Sequence, residues 1–236
     1  MYVQVKTEYT AERLVQLKKE NKKSGYLAAY MLAAFVLWTA AISVVDVQAI
    51  GPQESAVGFA TVNGFVHNLT GVHMALYTIT DWLSLVPAGF AVGFGILGLV
   101  QWIKRKRLRN VDYSILVLGG FYVVVMALYV LFEMVVVNYR PVLIHGYLEV
   151  SYPSSTTMLV MCIMPTAAMQ LYARIGNRIL RRCVTSVIAV FMLFMVIGRL
   201  VSGVHWFTDI VGGALLSIGL VLLYRTVILS KGPDNS

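Results

Sequence analysis

Arg199, His205 and Asp209 are three ionisable residues set between two strongly apolar runs near the C-terminal end of the sequence. Polar groups at membrane depth are costly, so they face a cavity or a partner and usually mark function. His205 and Asp209 are four positions apart, a spacing that puts both on one face of a helix. A carboxylate beside an imidazole fixes its tautomer and supports its positive charge. The other ring nitrogen is then free to attack or to take a proton. Arg199, with its planar fork of donors, suits a multiply charged oxyanion such as phosphate.

A second group lies upstream. Arg140 stands in Asn138-Tyr139-Arg140-Pro141, and the run Ser151–Thr157 places Ser154, Ser155 and Thr156 directly after Pro153. A proline followed by small hydroxyl residues at a helix start presents free backbone N–H groups and hydroxyl donors, which together suit an anion. The same residues also fit ordinary helix N-caps.

The elements that must carry these residues follow from composition. Of 236 residues, 58% are apolar and 13% charged, and the mean hydropathy is +0.75. Soluble domains are far richer in charge, so the sequence reads as an all-α integral membrane bundle of about six transmembrane helices. The apolar runs lie at roughly 26–45, 82–103, 113–137, 157–173, 183–197 and 210–229. Residues 1–25 form a basic N-terminal segment with Thr10 as a candidate helix start. Residues 26–229 form the membrane domain, and 230–236 a polar tail. Within the domain, 46–81 reads as an outer loop with short interfacial helices and turns at Gly51-Pro52 and Asn63-Gly64. Cys162 and Cys183 read as small apolar side chains rather than a disulfide. Neither the histidines nor the carboxylates show metal-ligand spacing, so no metal and no cofactor are expected.

The basic residues set the orientation. Seventeen of the nineteen fall before the first run, between the second and third, between the fourth and fifth, or at the C-terminal end, where Arg225 and Lys231 lie. With six spans these all face the cytoplasm, and their distribution explains the net charge of +8 without nucleic acid. The two left over are Arg140 and Arg199, both on the outer side. Topology does not account for them. Together with the His/Asp pair on that side, they turn the hydroxyl-rich helix start into a phosphate pocket.

These segments resemble the three signature motifs of the type 2 phosphatidic acid phosphatase superfamily of integral membrane lipid phosphatases. The third motif is Ser-Arg, five residues, His, three residues, Asp. Arg199, His205 and Asp209 keep that spacing, with Gly198 in place of the serine. The first motif ends in Arg-Pro, as Arg140-Pro141 does. The second, Pro-Ser-Gly-His, is matched in part by Pro153-Ser154-Ser155. The resemblance covers about residues 82–229. It implies that His205 is a nucleophile forming a phosphohistidine and that Asp209 orients it. It also implies that Arg140, Arg199, Ser154 and Ser155 hold the phosphate oxygens.

Two positions depart from that pattern. Thr156 stands where the family has the histidine that protonates the leaving oxygen, and the first-motif lysine is replaced in a region reading Glu133-Met134. His145 is the nearest spare histidine. Glu133 and Glu149 are candidates to pair with an arginine. The expected function is hydrolysis of a lipid phosphate or isoprenoid diphosphate at the outer face of a cell membrane. The protein's partners would be its substrate and membrane lipids. An impaired relative that binds a phospholipid or partner without turnover is the alternative, and Thr156 is what favours it. A transporter fits less well, because the charges cluster at one face rather than at mid-span.

Overall fold

The computed structural model describes residues 2–230. Among them the helices are α1 (Tyr2–Ile42), α2 (Ala60–Thr70), α3 (Met74–Leu83), α4 (Leu85–Arg105), α5 (Tyr113–Met134), α6 (Ser155–Arg174), α7 (Arg178–Val201) and α8 (Phe207–Ser230). Six stretches are long and apolar enough to cross a membrane: Lys18–Ile42 of α1, Met74–Arg105, and α5 to α8. The fold is the all-α membrane bundle that the composition implies.

Boundaries differ from the sequence expectation where tertiary contacts compete with local preference. The helix start expected at Thr10 lies inside α1, which begins at Tyr2. The second span begins at Met74 rather than near Trp82, because Ser84 keeps helical dihedrals (φ −65°, ψ −15°) and passes α3 on to α4. Asp81 therefore sits within a candidate span. The third ends at Met134, since the β-branched Val135 is already extended (φ −102°, ψ 105°). Asn63-Gly64 is no turn but lies in α2, where the Asn63 amide is used three times. It donates to Thr208 Oγ1 (2.9 Å) and to the Gly58 carbonyl (2.8 Å), and it accepts from the Thr208 N–H (3.2 Å). The tail expected at 230–236 lies outside the described residues beyond Ser230.

The bundle is arranged around α6, the helix whose sequence is least suited to lipid. It carries Thr156, Thr157, Thr166 and Gln170, all buried, and packs against α4, α5, α7 and α8. Buried polar groups require partners, and the neighbours supply them: the Gln170 amide donates to the Tyr224 hydroxyl (2.5 Å) and the Ser114 carbonyl (3.2 Å). Met158, Cys162, Leu118, Leu216 and Phe35 close the core around it. Cys183 by contrast is exposed, and both cysteines are free. At the C-terminal end of α6, Arg105 (2.8 Å) and Arg174 (3.5 Å) meet Asp112. The basic clusters 104–109 and 174–182 flank that end, so the end carrying Arg140 and Arg199 is the opposite one.

At that opposite end, the α7–α8 turn is locked to the α2–α3 connection. The His73 N–H donates to the Ser202 carbonyl (2.9 Å). Gly203 has φ +69°, and a Cβ there would lie 1.9 Å from the Gly71 carbonyl oxygen. Both the dihedral and the backbone approach demand glycine. Gly203→Ala is expected to destabilise the fold by more than the roughly 1–2 kcal/mol of the left-handed backbone alone, read as a lower melting temperature in detergent. Gly93→Ala, where a Cβ meets open space, is expected to leave it unchanged or raised.

Candidate active site

The residues expected to do chemistry arrive from four directions, and a hairpin missed by the sequence reading delivers Arg140 together with Asn138 and Ser151. Between α5 and α6 the chain doubles back: the Ser151 N–H donates to the Asn138 carbonyl (2.9 Å) and the Arg140 N–H to the Glu149 carbonyl (3.0 Å). Tyr139 and Val150 pair across it, and Ile144 and Tyr147 close its turn. Side chains alternate along extended chain, so Asn138, Arg140, Glu149 and Ser151 share one face. All four point chemistry at the site. His145 lies at the exposed tip with φ +51°, which places it away from the buried cluster.

His205 is not on the helix that the four-residue spacing suggested. It precedes α8, whose first turn carries Asp209. The Asp209 carboxylate reaches back to accept the Trp206 N–H (2.9 Å), the return half of a capping box. Trp206 is pinned in turn by its indole N–H on the Tyr139 carbonyl (2.7 Å) and by the His67 ring, 5.5 Å between centroids. His67 thus packs on the turn. His73 instead contacts the Thr70 carbonyl (2.9 Å).

His205 Nδ1 and Asp209 Oδ2 are 3.9 Å apart, too far for a direct hydrogen bond. The Ser151 hydroxyl lies between them, 3.0 Å from Nδ1 and 2.5 Å from Oδ2. On the other side of the ring, Nε2 faces Arg140 Nη1 at 3.3 Å. An arginine only donates, so Nε2 holds a lone pair and Nδ1 carries the proton. Burial, followed by the charges of Arg140 and Arg199, holds the His205 pKa well below its ordinary value of 6.5. The imidazole is therefore neutral at physiological pH, with its basic nitrogen facing the guanidinium.

Arg199, in the last turn of α7, is 2% exposed. Its Nη2 donates to Thr156 Oγ1 (2.5 Å) and Asp81 Oδ1 (3.2 Å), Nη1 lies 3.5 Å from Thr80 Oγ1, and its guanidinium sits 4.9 Å from the Tyr77 ring centre. The last three contacts come from α3, expected from the sequence as part of an outer loop with short interfacial helices but continuous with the second span. Gly198 explains how α3 gets so close: a Cβ there would lie 2.9 Å from Thr80 Cγ2. The replacement of the motif serine by glycine and the seating of α3 on Arg199 are therefore one feature.

At the start of α6, Ser154 is fully buried. Its N–H donates to the Asp209 carbonyl (3.1 Å), and its hydroxyl accepts from Thr157 (3.1 Å) rather than capping the helix. The first-turn N–H groups of α6 remain free of intrahelical partners. Ser155, Ser151 and Glu133 line a narrow pocket there with Tyr129 and Phe132. Glu149 pairs with Arg140 (3.0 Å). Among the described residues Glu133 makes no ion pair, so the arginine partner expected for it is absent. Nor do the described residues gather three His, Cys, Asp or Glu side chains in metal-binding geometry. The assembled chemistry is a neutral imidazole nucleophile or base, two guanidinium groups and a helix N-terminus, suited to a tetrahedral oxyanion.

Residues 130–232 match the sequence profile of the PAP2 superfamily, the same type 2 phosphatidic acid phosphatases whose motifs the sequence resembles. The fold is similar to the crystal structure of a transmembrane PAP2-type phosphatidylglycerolphosphate phosphatase from Bacillus subtilis. The TM-score is 0.52 at 22% identity, over 89% of this chain and 99% of that one. No curated protein matches the chain in sequence.

Asp81 takes Nη2 of Arg199, the nitrogen that also reaches Thr156, so an anion bound at Arg199 would compete with it. Asp81→Asn is expected to tighten the binding of inorganic phosphate, measured by calorimetry in detergent, by roughly 3–10-fold, the scale of an ion pair with one exposed partner. Unchanged or weaker binding would remove Arg199 from the anion site.

Proposed function

We propose that this chain of PAP2 fold is a membrane lipid phosphatase working through a phosphohistidine at His205. The observation that carries the reading is the arrangement of that ring. Nε2 bears its lone pair beside Arg140, and Nδ1 is backed by Ser151 and the Asp209 carboxylate. In the proposed reaction Nε2 attacks phosphorus, a P–N bond forms, and the P–O bond to the lipid breaks. Water then attacks the phosphohistidine, the P–N bond breaks, and phosphate leaves with His205 restored. Arg140, Arg199, Ser154, Ser155 and the α6 N-terminus hold the phosphoryl oxygens, where charge develops. The site faces the extracytoplasmic side of a cell membrane, a reading supported by the basic clusters at the other end of the bundle.

Thr156 decides the substrate. In the acid's position it offers a hydroxyl that accepts from Arg199 and titrates far above neutrality. A lipid alkoxide is a strong base and needs a proton as it leaves. A lipid phosphate leaving from a diphosphate needs little help. We therefore favour isoprenoid or other lipid diphosphates over monoesters such as phosphatidic acid or phosphatidylglycerol phosphate. The second reading is a relative that binds a phospholipid without turnover. Thr156 favours it, as does the carboxylate partner that each site arginine already has.

Phosphate release from both substrate classes separates the readings. His205→Ala is expected to abolish it. Thr156→His is expected to raise monoester hydrolysis by roughly 10²–10⁴-fold, the range of general acid catalysis, and diphosphate hydrolysis by clearly less. Equal gains would mean that Thr156 does not stand in the acid's place, and no turnover in any variant would leave the binding reading. Sidedness is checked in a Cys183→Ser background. On intact cells an impermeant thiol reagent is expected to label Tyr147→Cys in the hairpin and to spare Asn110→Cys. The reverse pattern would put the site in the cytoplasm.

A further inference from the structure

The two-residue His–Asp arrangement that the motif spacing suggests does not close by itself in this protein. The 3.9 Å between His205 Nδ1 and Asp209 Oδ2 leaves Nδ1 without a direct partner on the carboxylate. The Ser151 hydroxyl fills that gap at 3.0 and 2.5 Å and is itself 2% exposed. Its backbone is tied to Asn138, whose side-chain amide donates to the other carboxylate oxygen, Asp209 Oδ1 (3.3 Å). The hairpin therefore grips the carboxylate with two side chains and the imidazole with one of the same two.

We propose that Ser151 is a positioning residue that couples Asp209 to His205, making the relay a His–Ser–Asp triad. The directions of donation follow from the partners. Nε2 accepts from Arg140, so Nδ1–H donates to Ser151 Oγ, and Ser151 O–H donates to Asp209. When Nε2 forms its bond to phosphorus, positive charge develops on the ring. Nδ1 keeps its proton, and the polarised serine hydroxyl passes the stabilisation of the carboxylate to that charge. No proton changes owner. The charged groups facing His205 are Arg140 from the hairpin, Arg199 from α7 and Asp209 from α8. Ser151 alone joins the ring to the negative one. A serine that only held the hairpin closed would need one partner, not hydrogen bonds to both members of the pair.

The inference rests on the phosphatase reading for its rate measurements, and a cycle of variants separates the two. Ser151→Ala, which is smaller and fits the site, is expected to lower kcat by about 10²-fold, with KM shifted no more than about threefold, as for a group acting in the transition state. In an Asp209→Asn background the same substitution is expected to cost less than about threefold, because the partners of a relay are non-additive. A wild-type kcat in Ser151→Ala, or fully additive losses in the double variant, would overturn the proposal. If the wild type turns over no lipid phosphate, the phosphatase reading fails on its own, and the relay is read directly from ring nitrogens labelled with ¹⁵N. The wild type should show Nδ1 protonated and Nε2 bare. Arg140 keeps Nε2 bare in both proteins, so Ser151→Ala should keep the tautomer but shift the Nδ1 and Nδ1–H resonances as the hydroxyl link to Asp209 is lost, and resonances unmoved there would sink the triad.

Discussion

A carboxylate fully enclosed at the end of an apolar bundle has to be met by donors, and the rest of the site is built from that requirement. Asp209 is 0% exposed. Its oxygens accept from Ser151 and Asn138 of the hairpin and from the Trp206 N–H of its own turn, and its backbone carbonyl accepts the Ser154 N–H. Leaving any one such group unpaired costs about 1–3 kcal/mol, more when it is charged. Satisfying Asp209 thus draws together the hairpin, the start of α6 and the start of α8. Those are the segments that bring Arg140, the α6 N–H groups and His205 to one point.

The positive groups obey the same rule. Arg140 and Arg199 are both nearly buried, and each has a carboxylate, Glu149 or Asp81. Where the family motifs carry a lysine and a histidine, this chain has Glu133 and Thr156. Gly198 takes the place of a serine and admits α3 with Asp81 and Thr80. On the proposed reading these departures act in one direction. They would lower the positive charge of the pocket and replace a general acid with a hydroxyl, while the imidazole keeps its contacts to Ser151 and Arg140. Attack by nitrogen on phosphorus would then need a leaving group that departs without a strong acid.

The sequence made some of this legible and hid the rest for physical reasons. Arg199, His205 and Asp209 stood out because ionisable side chains are rare in apolar runs, and Arg140 because topology gave it no other purpose. The spans were legible from length and hydropathy. The shared helix face of His205 and Asp209 was not correct, because the carboxylate caps the helix that the histidine precedes. The hairpin from Asn138 to Ser151 alternates for only three residues at each end, Asn138-Tyr139-Arg140 and Glu149-Val150-Ser151, so its arms passed as a polar stretch between spans. The polar positions 138, 140, 149 and 151 were the signal. The role of α3 depended on Gly198 and Thr80, 118 positions apart in sequence, which no local pattern reports. Asn63-Gly64 has turn composition but forms helix because Asn63 is used by α8.

The proposed transfer of the phosphoryl group to His205 has a direct chemical signature. A lipid diphosphate carrying a radiolabelled terminal phosphate, mixed rapidly with the purified protein and quenched in alkali, tests it directly, because a phosphorus–nitrogen bond survives base and is lost in acid. Transfer to His205 puts label on the protein that mass spectrometry maps to His205, absent from His205→Ala. Phosphate release from the wild type with no label on the protein, or with label on any other residue, would contradict it.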